Sequence, residues 1–366
     1  MADTPTLKPW IEAIHAYVPG KSRTSDGRPL VNHSANENQM GCSPAVHEAL
    51  AGEHQPNFYP DPDATALRAA IGAAHGIDPA RIVCGTGSGE LLHCAVQAFA
   101  GPGDEVVFPR YSFSLYPLLV WKVGAEVVPA EDSDYAPDVD KLLAAVSERT
   151  RVVLLDNPNN PIGTWLPRTE VERLHAGLPR DVLLVVDQAY AEFLEEGEDD
   201  GGFDLAARYD NVLVTRTFSK AFGIAGERVG WATGAPHLID ALNRLRGAFN
   251  VTASGQKAAL AALGDRDFVR RSRDANSSVR ARFVEQVEAL GNHGLRALPS
   301  KANFVFVVFE GTLSATTALD AIGEAGYAVR HLPSQDLPQA LRITVGTQEQ
   351  MDAIATVLRK LCEASA

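Results

Sequence analysis

Lys220 directly follows Thr217-Phe218-Ser219 at the end of a β-branched run over residues 212–215, and Arg228 stands eight residues further on. An amine just past a buried strand usually snorkels to solvent, but among cations and apolar neighbours its pKa falls and it becomes a nucleophile toward an aldehyde. Two hydroxyls before it and an arginine after it make a donor set that can grip one phosphate. Asp187 ends the apolar run 182–186, with Tyr190 three residues on. Taken alone, such an aspartate is most simply a helix cap. At the depth of a buried strand end it can also keep a heterocyclic nitrogen protonated, because a close ion pair stabilises both charged forms. Gly85-Thr86-Gly87-Ser88-Gly89-Glu90 lies between a short strand and a helix, where small residues let backbone N–H groups approach an anion at a helix N-terminus. The dinucleotide-binding pattern lacks its third glycine here, which leaves a phosphate cup or a bare tight turn. Asn157-Pro158-Asn159-Asn160-Pro161-Ile162-Gly163 is explained by turn chemistry unless one of its amides is aimed into a cleft.

These segments share one position: each follows a short apolar run. After a Pro-, Ser- and Asn-rich opening of about 60 residues, such runs recur at 81–84, 105–108, 126–128, 152–155, 182–186 and 212–215, and an alanine-rich helical stretch at 90–100 backs the first. The runs are continuously apolar rather than alternating, so helices must cover both faces, as in a doubly wound, mostly parallel α/β sheet. Ligands in such sheets bind beyond the carboxyl ends of the strands, where the four segments stand. From about residue 265 the texture changes to an arginine-rich helical stretch (266–290), strand-like segments at 304–309, 327–330 and 341–345, and a closing amphipathic helix at 348–363. The expected organisation is an N-terminal arm (1–44) belonging partly to the small domain, a large domain (45–264) and a smaller α+β domain (265–366).

The 366 residues suffice for two domains, and at that size folding buries roughly 75% of the extended chain's surface. With 45% hydrophobic and 22% charged residues, the chain reads as globular rather than disordered. Thirty-three basic against 46 acidic residues give a formal charge of −13, which repels phosphodiester backbones and anionic lipid, so no nucleic acid or membrane partner is expected. No apolar run approaches the roughly 20 residues needed to span a bilayer, and the N-terminus has no basic-then-apolar block. Cys42, Cys84, Cys94 and Cys362 form no C-x-x-C pair, which fits buried thiols in a reducing cytoplasm. No metal is expected.

In order and spacing, the motifs resemble the fold-type I aminotransferases, which use pyridoxal 5′-phosphate, and most closely their histidinol-phosphate aminotransferase branch. The match runs from Tyr17-Val18-Pro19-Gly20 through Asn36-Glu37-Asn38 and Tyr59-Pro60-Asp61 to Leu341-Arg342-Ile343-Thr344-Val345-Gly346-Thr347, nearly the whole chain. The resemblance implies an aspartate-aminotransferase-like fold and a cytoplasmic homodimer with shared active sites. Lys220 would condense with the cofactor aldehyde and then serve as acid and base; Asp187 would pair with the ring nitrogen. Asn160 and Tyr190 would bond the ring oxygen, and Tyr111 would stack on the ring. Gly87, Ser88, Gly89, Thr217, Ser219 and Arg228 would hold the phosphate, joined by Tyr59 of the partner subunit. Tyr17, Asn36, Arg330 and Arg342 would select the substrate. The implied reaction is ping-pong transamination between a small amine or amino acid and a 2-oxo acid, with histidinol phosphate and 2-oxoglutarate as the leading pair. The alternatives on this fold are an aromatic amino-acid aminotransferase and a phospho-amino-acid decarboxylase. Departures are Gln39-Met40 in place of a proline, Gly89 and Gln188 in place of common acids, and Glu227 in place of leucine beside Arg228.

Overall fold

A computed structural model describes residues 4–12, 14, 23, 27–52 and 55–364. After β1 (Val31–His33), which pairs elsewhere, the strands β2 (Ile82–Gly85), β3 (Glu105–Pro109), β4 (Glu126–Ala130), β5 (Thr150–Asp156), β6 (Leu183–Asp187), β7 (Val212–Thr217) and β8 (Gly230–Gly234) form a seven-stranded sheet. Its order is β2-β8-β7-β6-β5-β3-β4. Neighbours are parallel except at β8, which runs antiparallel to β2 and β7. The strands are apolar throughout because both faces are covered. Val152 and Leu154 of β5 share a cluster with Leu91, Leu92 and Val96 of the helix Ser88–Phe99. Val153 and Leu155, pointing the other way, share one with Val171 and Leu174 of the helix Arg168–Gly177. The architecture is the doubly wound α/β one that the apolar runs imply.

Strand β8 is not anticipated by sequence pattern, since Gly230-Trp231-Ala232-Thr233-Gly234 has no run of branched residues. Its first glycine is there for proximity: a Cβ on Gly230 would lie 2.3 Å from the backbone nitrogen of Ser88 and 2.4 Å from the carbonyl carbon of Gly87. Only a residue without a side chain lets β8 press against that loop.

Strands β9 (Leu295–Ala297), β10 (Phe304–Phe309), β11 (Tyr327–Leu332) and β12 (Leu337–Thr344) join β1 in a second sheet ordered β1-β11-β12-β10-β9. β1 pairs with β11 in parallel; the other pairs are antiparallel. Val305 and Val307 of β10 pack on Phe283, Ile322 and Leu358 of three covering helices, Arg266–Glu288, Ala315–Glu324 and Gln348–Ala364. The alternate residues face the larger sheet: Phe306 and Val308 pack with Ile162, and Phe304 with Tyr190 and Ala221. Register places Thr344 opposite Phe304 and Arg342 opposite Phe306, so both polar residues share that inward face.

The carboxyl ends of β5, β6 and β7 therefore meet the second sheet. Asp156 is registered with Asp187, Asp187 with Thr215, and Gly230 with both Gly85 and Thr217. All four motifs reach one edge. Cys84, Cys94 and Cys362 are buried free thiols as expected; Cys42 is only half-buried, because it precedes a surface helix, and its Sγ lies 3.4 Å from His47 Nε2. Among the described residues, no helix is long and apolar enough to cross a membrane.

The Gly230 contact makes a simple test. Gly230→Ala is expected to cost about 1–3 kcal/mol by overpacking, read from denaturant unfolding, while Gly226→Ala, where a Cβ meets nothing within 4 Å, leaves the midpoint near that of the parent.

Candidate active site

A cavity of about 550 Å³ opens between this edge and the second sheet. One end is a cup for an anion. Ser88 and Gly89 line it at the start of the helix Ser88–Phe99, whose dipole and unpaired N–H groups attract negative charge. The Glu90 carboxylate anchors the loop: it accepts from Thr86 N at 2.7 Å, Thr86 Oγ1 at 3.0 Å, Asn250 Nδ2 at 2.7 Å and Gly247 N at 3.1 Å. Arg228, itself in the left-handed region at φ +53°, donates through Nη1 to Ala225 O at 3.0 Å and Ser219 Oγ at 3.3 Å. A Cβ on Gly87 would fall 2.7 Å from Arg228 Nη2, so this glycine, at φ +82°, is what lets the guanidinium close over the cup. Thr217 and Ser219 add two hydroxyls.

The floor carries three ionisable groups, two buried carboxylates and a partly buried amine. Asp187 Oδ1 accepts from Thr215 Oγ1 at 2.8 Å, and its Oδ2 accepts a longer bond from Tyr116 Oη at 3.4 Å. Burial pushes its pKa up to about 6 despite those bonds and the attraction of Lys220. Asp156, one strand over, is driven well above the ordinary carboxylate range by burial, with the charge of Asp187 adding to the effect. Lys220 Nζ donates to Ala35 O at 3.1 Å and lies 5.8 Å from the centre of the Tyr190 ring. Burial, then the like charges of Arg342 and Arg228, bring its pKa down to about 7 against the pull of Glu37 and Asp187.

The second sheet forms the roof. Arg330 and Arg342 stand directly opposite each other on β11 and β12, and both line the cavity. Arg342 donates to Asn160 Oδ1 at 2.5 Å and to Ser34 O at 2.6 Å; among the described residues no carboxylate pairs with Arg330. Asn36 Nδ2 donates to Tyr190 Oη at 2.9 Å, and Thr344 Oγ1 to Asn36 Oδ1 at 3.1 Å. Burial raises the Tyr190 phenol to about 12. Gln335 closes the rim, donating to Ser112 O at 2.9 Å.

Ser88, Gly89, Asn160, Asp187, Tyr190, Thr217, Ser219, Lys220, Arg228, Asn36, Arg330 and Arg342 thus line one cavity, with Gly87 against Arg228. Tyr111 does not join them. Its N–H is held by Asp132 Oδ2 at 2.7 Å and its ring stacks on Tyr135 with centroids 5.6 Å apart, beside Ile162 and Phe306. From that segment it is instead Phe113, two positions on, that lines the cavity wall. The sequence signal for it is the spacing Phe113-x-x-Tyr116, which puts both rings on one side of the turn entering the helix Leu115–Val123. Asp156, Thr215, Tyr116 and Gln335 were likewise not singled out by sequence. Tyr59 is 81% exposed and stacks on Phe249 at 4.5 Å, away from its own chain's cavity. Tyr17 lies outside the described residues. Glu227 forms no ion pair with Arg228 among them.

A family model for aminotransferase class I and II matches residues 28–358. The chain is 63% identical over 366 residues to the histidinol-phosphate aminotransferase of Erythrobacter litoralis (strain HTCC2594), covering 100% of both chains. It is 54% identical over 362 residues to that of Sphingopyxis alaskensis, covering 97% of this chain and 98% of that one. Among solved structures, the histidinol-phosphate aminotransferase of Sinorhizobium meliloti in complex with pyridoxal-5′-phosphate is similar with a TM-score of 0.88 at 29% identity, over 100% of both chains.

Because Lys220 is held near pKa 7, its neutral fraction is substantial at neutral pH. Its modification by trinitrobenzenesulfonate in cofactor-free protein, followed by peptide mass spectrometry, is expected to rise through a midpoint near pH 7 and level off while exposed lysines continue to rise toward their ordinary pKa of about 10.4. A Lys220 profile that tracks the exposed lysines would contradict the electrostatics described.

Proposed function

The chain belongs to the aminotransferase class I and II family, and from that membership we propose that it is a pyridoxal-phosphate-dependent transaminase acting on histidinol phosphate and 2-oxoglutarate. The observation that carries this reading is a single cavity with an anion cup at one end, two arginines on the facing sheet, and Lys220 with Asp187 on its floor.

The donor set suits pyridoxal 5′-phosphate. The cup, shaped by Gly87 so that Arg228 can approach, would take the phosphate, Asp187 the ring nitrogen, Lys220 the aldehyde, and Asn160 and Tyr190 the ring oxygen; Phe113, rather than Tyr111, would lie against the ring. When bound, this cofactor supplies a carbonyl that captures amines and a cationic ring that accepts electrons as a Cα–H bond breaks. A cation set against Asp187 reverses the effect of burial and holds its carboxylate ionised, so that the acid keeps the neighbouring nitrogen protonated. Lys220 Nζ, with a substantial neutral fraction near pH 7, takes the substrate Cα proton and returns it to the product side. Arg342, fixed by Asn160 and Ser34, meets the anionic end of the substrate with its planar fork.

Like charges directly opposite in an antiparallel sheet destabilise it, so the Arg330–Arg342 pairing makes sense where a dianion comes between them. That favours a phosphorylated amine over an unphosphorylated aromatic one. The same pocket accepts the carboxylates of the amino donor, leaving selectivity to shape. The exposed Tyr59–Phe249 stack with Phe58 beside it supports a homodimer in which Tyr59 of the partner subunit reaches the cup. Free cysteines fit a cytoplasmic setting.

Two measurements test the reading. The purified protein with pyridoxal phosphate should show near-visible absorbance that borohydride abolishes, and Lys220→Ala should lack it; colourless, unreactive wild type would falsify the proposal. In a panel of histidinol phosphate, phenylalanine and tyrosine, kcat/KM should favour the phosphorylated amine by more than about tenfold, or roughly 1.4 kcal/mol. Arg330→Gln should erode most of that preference while leaving the melting temperature equal or higher, since relief of a cross-strand repulsion is worth about 0.2–1 kcal/mol.

A further inference from the structure

Asp156 has no place in that reaction, yet it ends β5 inside the same cavity, 3% exposed. Its Oδ2 accepts from Asn160 N at 2.7 Å and its Oδ1 from Asn159 Nδ2 at 3.2 Å. Other bonds fix the flanks of the turn it grips: Asn157 N donates to Asp187 O at 3.0 Å, Asn157 Nδ2 to Leu166 O at 2.9 Å, and Asn159 Nδ2 also to Tyr111 O at 2.9 Å. Of the backbone groups further along, Pro158 and Pro161 lack N–H groups, Asn159 N is met by Thr164 O at 2.8 Å, Gly163 N by Asn159 O at 2.9 Å and Ile162 N by Asn159 Oδ1 at 3.2 Å. The N–H of Asn160 is left to Asp156. Asn160 in turn accepts from Arg342 through Oδ1. Arginine offers donors only, so the carboxamide oxygen must face it and the NH₂ is left to the cavity.

We propose that Asp156 is a positioning residue: by holding the Asn159–Asn160 turn, it aims the Asn160 amide at the cofactor and, through Asn160, sets Arg342 for the substrate anion. The proposal rests on the function proposed above for what the two groups meet, but the grip itself is a property of the chain alone. A carboxyl this deeply buried is pushed toward its neutral form. Asparagine is then close to isosteric and keeps an oxygen for the Asn160 N–H, so Asp156→Asn should behave as a rescuing variant beside Asp156→Ala.

The test reads Arg342 with and without cofactor. In cofactor-free protein, phenylglyoxal modification of Arg342, followed by peptide mass spectrometry, should be about tenfold faster in Asp156→Ala than in wild type, with Asp156→Asn close to wild type. In the loaded enzyme, Asp156→Ala should raise KM for histidinol phosphate by roughly tenfold with a smaller change in kcat, and shift the pH midpoint of the cofactor's visible absorbance; Asp156→Asn should restore most of both. If Asp156→Ala does not fold, Asn160→Ala cuts the relay one step later and should give the same faster labelling of Arg342. Unchanged labelling, KM and absorbance midpoint in a variant that merely melts earlier would make Asp156 a turn cap and overturn the inference. A wild type that binds no cofactor would sink the proposed function, and the labelling comparison would still decide the grip.

Discussion

Charges held out of water without full compensation are what the rest of this structure depends on. Asp187 and Asp156 are displaced toward their neutral forms, Lys220 toward its neutral amine, and no ion pair among the described residues joins Lys220 to either acid. Bringing such groups into one cavity is unfavourable unless an incoming molecule carries the missing partners. A ligand with an anionic tail, a basic ring nitrogen and a carbonyl would supply each in turn. The surrounding protein is arranged to make that state rigid, with Thr215 and Tyr116 aimed at the carboxylate and Ala35 at the amine.

The two-sheet architecture follows from the same requirement. A parallel sheet brings the ends of β5, β6 and β7 to one edge but leaves them open to water. The second sheet closes that edge, and its β10 is apolar on alternate faces for two different reasons, one face seating the covering helices and the other the loops of the first sheet. Arg342 and Thr344 can then hang from the roof without disturbing the helix-facing core. The reversed strand β8 completes the arrangement by setting Arg228 beside the cup instead of at the far end of the sheet.

What could be read from the linear chain was whatever is local. Apolar runs announced the central strands, and the small, hydroxylic and charged residues just beyond them announced the cavity lining, because strand-then-turn is a property of neighbours in sequence. β8 escapes because its first glycine is required by close approach to residues more than 140 positions away. Tyr111 is implied by the resemblance alone, whereas its N–H is tied to Asp132 and it is Phe113 that lines the wall. Asp156 sits between an apolar run and a proline turn with nothing in the spacing to single it out. Its burial beside Asp187 is set by register between strands, which spacing does not encode. Thr215 and Tyr116 were invisible for a similar reason, their bonds to Asp187 spanning 28 and 71 residues.

The facing arginines on β11 and β12 and the helix-end cup place two regions of positive potential within a single enclosure. Simple inorganic oxyanions in the buffer are then competitors rather than bystanders. Kinetic constants and melting curves obtained in phosphate or sulfate would then carry that competition, and those taken in chloride or zwitterionic media would not. The choice of salt becomes a variable of the chemistry itself.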